Sequence, residues 1–155
     1  MILLPYRIAP STIPGAGQGL FLDAPARRGQ ILIAPDRIDH AWPLAELKNR
    51  PDYDQVSHSL VRWFEQHCTL SLEWPDECYV NHDFNPSGLW HLGFIFARRD
   101  LDAGTEVCVD YRHLLPDGEE EVFRDARTGA PIVGYAWAHS LALGAGEIAA
   151  WYRPN

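Results

Sequence analysis

Twelve glycines and twelve prolines punctuate a chain of 155 residues. These residues start turns and stop helices, so the chain is expected to fold from many short elements rather than from a long-helix bundle. "YRIAPS" reads as a short strand closed by Pro10. "GAGQGLFLDAPARRGQILIA" reads as a glycine turn, a strand through Leu20 to Leu22, a turn at Arg28-Gly29, and a strand through Ile31 to Ile33 that Pro35 ends. From Pro43 to Cys68 the pattern is helical: Val56, Leu60, Trp63, Phe64 and His67 recur at helical spacing after Asp52 and Asp54. "TLSLEW", "CYV", "LGFIFAR" and "EVCVDY" are then short β-like runs. "EEVFRDARTGAPIVGY" predicts a hairpin turning near Thr128-Gly129, and "AHSLALGAGEIAAWYR" a helix, although Gly144 and Gly146 are poor helix formers. The expected class is α+β, one domain over 1–155, built from short, mainly antiparallel sheets with a helical insert over 36–77 and a helical C-terminal tail within 112–155.

Composition narrows the function. Hydrophobic residues at 46% and charged residues at 22% are ordinary for a globular chain with a buried core. Asp and Glu outnumber Lys and Arg by 21 to 13, giving a net charge of -8. A direct nucleic-acid partner is therefore not expected, because phosphate binding needs a basic surface, and a basic protein or peptide suits the charge better. The three cysteines, Cys68, Cys78 and Cys108, are odd in number and form no C-x-x-C pair, which argues against a disulfide framework or a four-thiolate zinc site. "MILLPYRIAPSTIPG" lacks the charged and apolar regions of a signal peptide, and no window reaches membrane-spanning length, so a cytoplasmic location without membrane contact is expected.

Two stretches concentrate the polar and flexible residues. "GAGQG" places Gly15, Gly17 and Gly19 at alternate positions, a pattern that lets a backbone approach a ligand closely. It is no dinucleotide loop, because a strand-like "LFLDAP" follows where a helix would be needed, and no Lys-Ser or Lys-Thr completes a phosphate loop. "YVNHDFNP" sets Asn81, His82, Asp83 and Asn85 between two apolar runs. Asn85 suits a turn that bonds its own backbone. His82 with Asp83 suggests a metal site or an acid–base pair, and the metal is disfavoured because the nearest other histidine is His91, beyond a turn. His58 and His67 fall on the expected helix, at the surface or the core edge. The acidic run "DGEEE" from Asp117 to Glu121 reads either as a solvated loop or as an attractor for a basic substrate.

Three pieces in order, "GAGQGLFL" with "RRGQIL", then "YVNHDFNP", then "FIFARRDLDAGTEVCVDY", resemble the SET domain of protein lysine methyltransferases, over roughly Ile8 to Tyr111. That family carries G-x-G-L-F near its start, R-F-x-N-H-S-x-x-P-N in its second half and A-x-R-D-I-x-x-G-E-E-L-x-x-D-Y shortly after. The resemblance implies a β-clip-like fold of small sheets, a crossing of the segment after Asp110-Tyr111 through a loop near Asn81-His82, and S-adenosylmethionine as methyl donor. It implies that the backbone of Ala16, Gly17 and Gln18 and the side chain of Asn81 hold the amino acid end of this cofactor. By the same resemblance His82 meets the adenine largely through its main chain, and Tyr111 is the tyrosine beside the reacting methyl group. The chain departs from the pattern at Asp83, Phe84 and Ser87, where the family has Ser, often Cys, and often Asn, and at Cys78, where it has Arg. A Cys-rich zinc tail is missing, which leaves Tyr135, Trp137 or Trp151 to cover the adenine.

Such chemistry suits these residues. Methyl transfer from a sulfonium to an amine is an in-line displacement whose main demand is alignment. A narrow apolar channel disfavours the ammonium form of the lysine, so no strong side-chain base is required. Carbonyls accept weak C–H bonds from a methyl group next to positive sulfur, and aromatic walls attract cations. The expected function is S-adenosylmethionine-dependent methylation of a lysine on a basic protein or peptide. The alternative is a catalytically inactive module of the same fold that binds a protein partner.

Overall fold

A computed structural model describes residues 1–35, 38, 40–70 and 73–153. Fifteen regular elements follow one another among these residues: β1 (Tyr6–Pro10), β2 (Gln18–Leu22), β3 (Ile31–Ile33), β4 (Trp42–Pro43), α1 (Leu44–Lys48), α2 (Tyr53–Val56), β5 (Val61–Phe64), β6 (His67–Thr69), β7 (Asn81–His82), β8 (Gly88–His91), β9 (Phe94–Ala97), β10 (Cys108–Val109), β11 (Glu120–Arg124), β12 (Pro131–Val133) and α3 (Trp137–Trp151). The class is α+β, with short sheets and a C-terminal helix. β1 pairs with β2, β9 lies between β3 and β8, β6 lies between β4 and β5, and β11 pairs with β12, all antiparallel. The pair β7–β10 is parallel, with Cys108 opposite Asn81 and Val109 opposite His82.

The main core gathers the inward side chains of these small sheets. Leu20, Leu22, Leu32, Ile33, Val80, Ile95, Ala97, Leu101, Val107 and Val109 are buried together, and Tyr6, Trp90 and Tyr111 pack against them. β2 is held on both edges. On one side it pairs with β1; on the other, the Val107 N–H donates to the Leu20 carbonyl at 2.8 Å and the Leu22 N–H to the Thr105 carbonyl at 3.0 Å. The glycine strand and the "GTEVCVDY" segment are therefore neighbours, although more than eighty residues separate them.

The insert departs from its expected helix. α1 and α2 are short and a 3-10 turn covers Ser57–Ser59, but Val61 to Thr69 forms the hairpin β5–β6. Val61, Arg62, Trp63 and Phe64 favour a pleated surface, and Glu65 takes a left-handed φ of 46° in the turn. Five large residues at helical spacing had masked that choice. His67 consequently lies on a strand and His58 in the 3-10 turn. "CYV" is also corrected, since Asp76–Tyr79 forms a 3-10 turn led by Pro75. Asp36, Arg37 and Asp39 of the insert, Ser71 and Leu72 of "TLSLEW", and Pro154 and Asn155 of the tail lie outside the described residues.

The tail agrees with its reading: β11 and β12 make a hairpin and α3 spans Trp137–Trp151. Gly144 is accounted for by close approach, because a Cβ there would strike the ring of His91 on β8. Arg62 clips the insert to the tail. Its buried guanidinium donates to the Tyr135 carbonyl at 2.7 Å and the His113 carbonyl at 2.9 Å, and it lies 5.7 Å from the Trp137 ring. Among the described residues no helix is long and apolar enough to cross a membrane.

Candidate functional site

The glycine turn is closed from within. Gly15 and Gly17 take left-handed φ values of 78° and 73°, which only glycine adopts without strain. The Ser11 N–H donates to the Gly17 carbonyl, and the Ala16 N–H to the Ile13 carbonyl. No atom lies within 4 Å of where a Cβ on Gly15 or Gly17 would stand, so the turn presents bare backbone to open space.

Asn81 joins this turn to the centre of the chain. Its Nδ2 donates to the Gln18 carbonyl at 2.9 Å and to Glu106 Oε1 at 3.1 Å. Both amide protons are thereby engaged, which leaves the side-chain carbonyl as the group Asn81 can offer to a ligand. Glu106 is a hub: its carboxylate also accepts from Ser11 Oγ at 2.6 Å, Thr12 N–H at 2.8 Å and Thr12 Oγ1 at 2.5 Å. Burial works against its ionised form, but the bonds from Ser11, Thr12 and Asn81 outweigh that and hold its pKa below the usual glutamate value. Gly19 lies directly beneath, where a Cβ would collide with Glu106 Oε1 and come within 3.3 Å of Asn81 Nδ2.

His82 and Tyr111 tie the parallel pair β7–β10 to the turn that follows it. The Tyr111 N–H donates to His82 Nδ1 at 3.1 Å, and the Asp83 N–H donates to the Val109 carbonyl at 3.1 Å. An imidazole that accepts at Nδ1 carries its proton on Nε2, which is buried and has no hydrogen-bond partner. Burial depresses the His82 pKa against the pull of Asp110, Asp125 and Asp83, which favours the neutral ring. The Tyr111 hydroxyl donates to the Val80 carbonyl at 2.8 Å. Burial, with the charge of Glu121 next in weight, pushes that phenol above its ordinary range, so Tyr111 acts as a neutral hydrogen-bond donor and not as a base.

The β11–β12 hairpin covers this junction. Asp125 Oδ2 stands 3.8 Å from His82 Nε2, both side chains being buried. Arg127 Nε donates to Asp83 Oδ2 at 2.9 Å, and Asp83 Oδ1 accepts from the Asn85 N–H at 2.8 Å. Asp83 thus orders the turn expected at Asn85 while its charge is met by the hairpin. Ser87 is likewise structural, donating to the Glu106 carbonyl and accepting from the Cys108 N–H. Phe123 of the hairpin sets its ring edge-on to Tyr111 at 6.2 Å, and Phe84 sets its ring edge-on to His82 at 4.6 Å.

The six residues singled out from the sequence fall in one neighbourhood through two direct bonds, Gln18 to Asn81 and His82 to Tyr111. Each aromatic candidate for a cover packs against a neighbour. Tyr135 lies 4.8 Å from the Arg112 guanidinium, Trp137 faces Arg62 and Trp151 meets Phe96 at 6.4 Å. A cavity of about 340 Å³ beside the junction is lined by Phe84, Trp90, Arg98, Arg112, Tyr135 and Glu147 among others, and neither Asn81 nor Tyr111 lines it. Sequence reasoning missed Glu106, Asp125, Arg127 and Phe123. The first lay within the quoted "GTEVCVDY" and so was within reach; the other three join the site only through the fold of the tail. Among the described residues no group of three or more His, Cys, Asp or Glu side chains is arranged to hold a metal ion. No protein-family model and no curated protein sequence matches the chain.

Proposed function

We propose that this chain is a small SET-like methyltransferase that transfers a methyl group from S-adenosylmethionine to a lysine side chain of a basic protein or peptide. The observation that carries the reading is the bond between Asn81 and the Gln18 carbonyl. It brings into contact two motif pieces 63 residues apart, and the parallel pair β7–β10 brings the third alongside. The donor set fits the amino acid end of such a cofactor. The Asn81 side-chain carbonyl, left free by the two bonds its amide donates, suits an ammonium group, and the open Gly15–Gly17 backbone leaves room for close approach.

S-Adenosylmethionine supplies, when bound, a methyl group on positively charged sulfur. The protein's part is alignment and desolvation. Ala16, Gly17, Gln18 and Asn81 would hold the amino acid end, and the His82 main chain would meet the adenine while its ring, bonded to the Tyr111 N–H, fixes the geometry of Tyr111. The Tyr111 hydroxyl, anchored on the Val80 carbonyl, and the carbonyls around it would orient the methyl group and the incoming amine.

Calorimetry with S-adenosylmethionine tests the first half of this reading, and saturable heat is expected. A folded sample that gives none turns the assignment toward a non-catalytic module that binds a partner. Tyr111→Phe tests the second half: cofactor binding should persist while transfer of labelled methyl to a lysine-rich histone mixture falls by at least about tenfold, the scale of one lost transition-state hydrogen bond. Full activity in that variant would remove Tyr111 from the reaction.

A further inference from the structure

The fold leaves one edge of β11 bare. Among the described residues β12 is its only strand neighbour, so the far side of β11 pairs with no strand. The pairing with β12 is itself bowed. Glu120 stands opposite Val133 and Arg124 opposite Pro131, which leaves Glu121, Val122 and Phe123 to face Ile132 alone. Val122, at the crest of the bow, is 101% exposed, and Phe123 is 47% exposed. A bulge commonly guards an edge by twisting it away; here it pushes an apolar side chain outward. Glu120 and Arg124 are also exposed. Among the described residues neither meets an opposite charge, and Arg124 donates only to the Gly129 carbonyl at 3.3 Å. About 13 Å of strand separates the two, so they cannot pair with each other.

The order Glu-Glu-Val-Phe-Arg is self-complementary in charge when laid antiparallel to a copy of itself about Val122. Glu120 then faces the partner's Arg124, Arg124 faces the partner's Glu120, and the two Val122 side chains meet at the two-fold axis. Residues directly opposite in an antiparallel pair share a face, so all three contacts fall on the side where Glu120, Val122 and Arg124 alternate. We infer that the free edge of β11 is a homodimerisation surface, occupied by β11 of a second copy of this chain. One sequence supplies both halves of the match, and a two-fold contact makes each charge pair twice. The next positions in this register, Glu119 and Asp125, do not oppose it: Glu119 is held by Lys48, and Asp125 is turned into the fold beside His82. An edge of five residues buries little area, so the dimer is weak and salt-sensitive rather than obligate. Phe123 and Asp125 of the same hairpin meet Tyr111 and His82, so pairing at β11 braces the cover of the junction. The inference does not depend on the methyltransferase reading.

Sedimentation equilibrium of the whole chain, over rising protein concentration at low salt, tests this. The parent should pass from monomer to dimer and return toward monomer when salt is added. Glu120→Arg and Arg124→Glu each set like charges at both contacts and should weaken dimerisation by at least about tenfold. Mixed in equal amounts, the two variants should form a heterodimer as tight as the parent dimer, because the mixture restores an opposite charge at each contact. The double variant Glu120→Arg/Arg124→Glu should dimerise by itself for the same reason. Both positions are exposed, and circular dichroism checks that every variant is folded. Single variants that dimerise like the parent, or a mixture no tighter than its components, would place the interface elsewhere and overturn the inference. A parent that stays monomeric at every concentration also overturns it and leaves the edge to a strand of another protein.

Discussion

The junction around Asn81 and the sheet of the insert are built on opposite principles. At the junction, polar side chains reach across the fold: one carboxylate, Glu106, accepts from three other residues, and His82 fixes the Tyr111 backbone. At the insert sheet β4–β6–β5, Leu47, Leu60 and Cys68 form a small buried core, while Trp42 and Phe64 each remain 45% exposed. There, rings pair locally, His40 with Trp42 at 4.1 Å and Phe64 with His67 at 4.7 Å. Charge-assisted bonds are directional and fix atoms relative to one another, whereas apolar contact fixes little beyond burial. The junction should therefore fail sharply when a single atom is misplaced, and the insert sheet should give way gradually.

The largest effect is expected at Gly19. A methyl group there collides with Glu106 Oε1, so the carboxylate must turn away from Ser11, Thr12 and Asn81. Overpacking and the loss of bonds to a charged acceptor together make Gly19→Ala cost about 3 kcal/mol. That corresponds to a thermal midpoint lower by roughly 6–12 °C for a chain of this size. Gly15→Ala, with open space around its Cβ, carries only the left-handed backbone strain of about 1 kcal/mol. Equal thermal midpoints for the two variants would break the picture of Glu106 as a hub.

An intermediate effect is expected from acid. Burial depresses the pKa of His82, His91 and His113. A histidine whose folded pKa lies below the unfolded value of about 6.5 binds its proton more readily in the unfolded chain, so stability present above that pH declines as the pH falls through it. Glu106 and Asp125 act lower. Burial opposes their ionised forms, but their hydrogen bonds lower both pKa values, so their contribution is present above the ordinary carboxylate range and lost below it. Glu121, raised by burial, works in the reverse sense and softens the second stage. Denaturant unfolding between pH 8 and 4 should show a first decline starting near pH 6.5, and His82→Gln should reduce it. A flat profile down to pH 5 would mean that the three rings are solvated.

Legibility in the sequence followed the range of the interactions. β2, β3, the hairpin near Thr128-Gly129 and α3 were readable because turn residues and apolar spacing act within a few positions. The contact between "GAGQG" and Asn81 was readable only through the resemblance of the ordered pieces, since no local property of either stretch points to the other. The β5–β6 hairpin was misread because large residues at helical spacing also suit a pleated strand with a bulge between Arg62 and Phe64. Asp125, Arg127 and Phe123 were invisible for a different reason: each owes its place to how the tail docks on the segments around His82, Asp83 and Tyr111. Glu121 stands between these cases, since its charge was plain in "DGEEE" but its partial burial depends on the hairpin.

The smallest effect is expected where that misreading occurred. Trp42 and Phe64 lie on strands paired through β6, and their rings face water along nearly half of their surface. Replacing either by Thr keeps a residue that suits a strand and removes mainly the local ring contact, so Trp42→Thr and Phe64→Thr should each cost about 0.5–1 kcal/mol. The two lie on the outer strands of one sheet, and combined they should add within about 0.5 kcal/mol, as sites without shared bonds do. At the junction, Ser11→Ala and Asn81→Ala share the Glu106 carboxylate and should depart from additivity by more than that. Denaturant midpoints of the four single and two double variants measure both couplings. Equal coupling in the two regions would mean that the polar junction is no more cooperative than the apolar sheet, and that its geometry is set by the surrounding core.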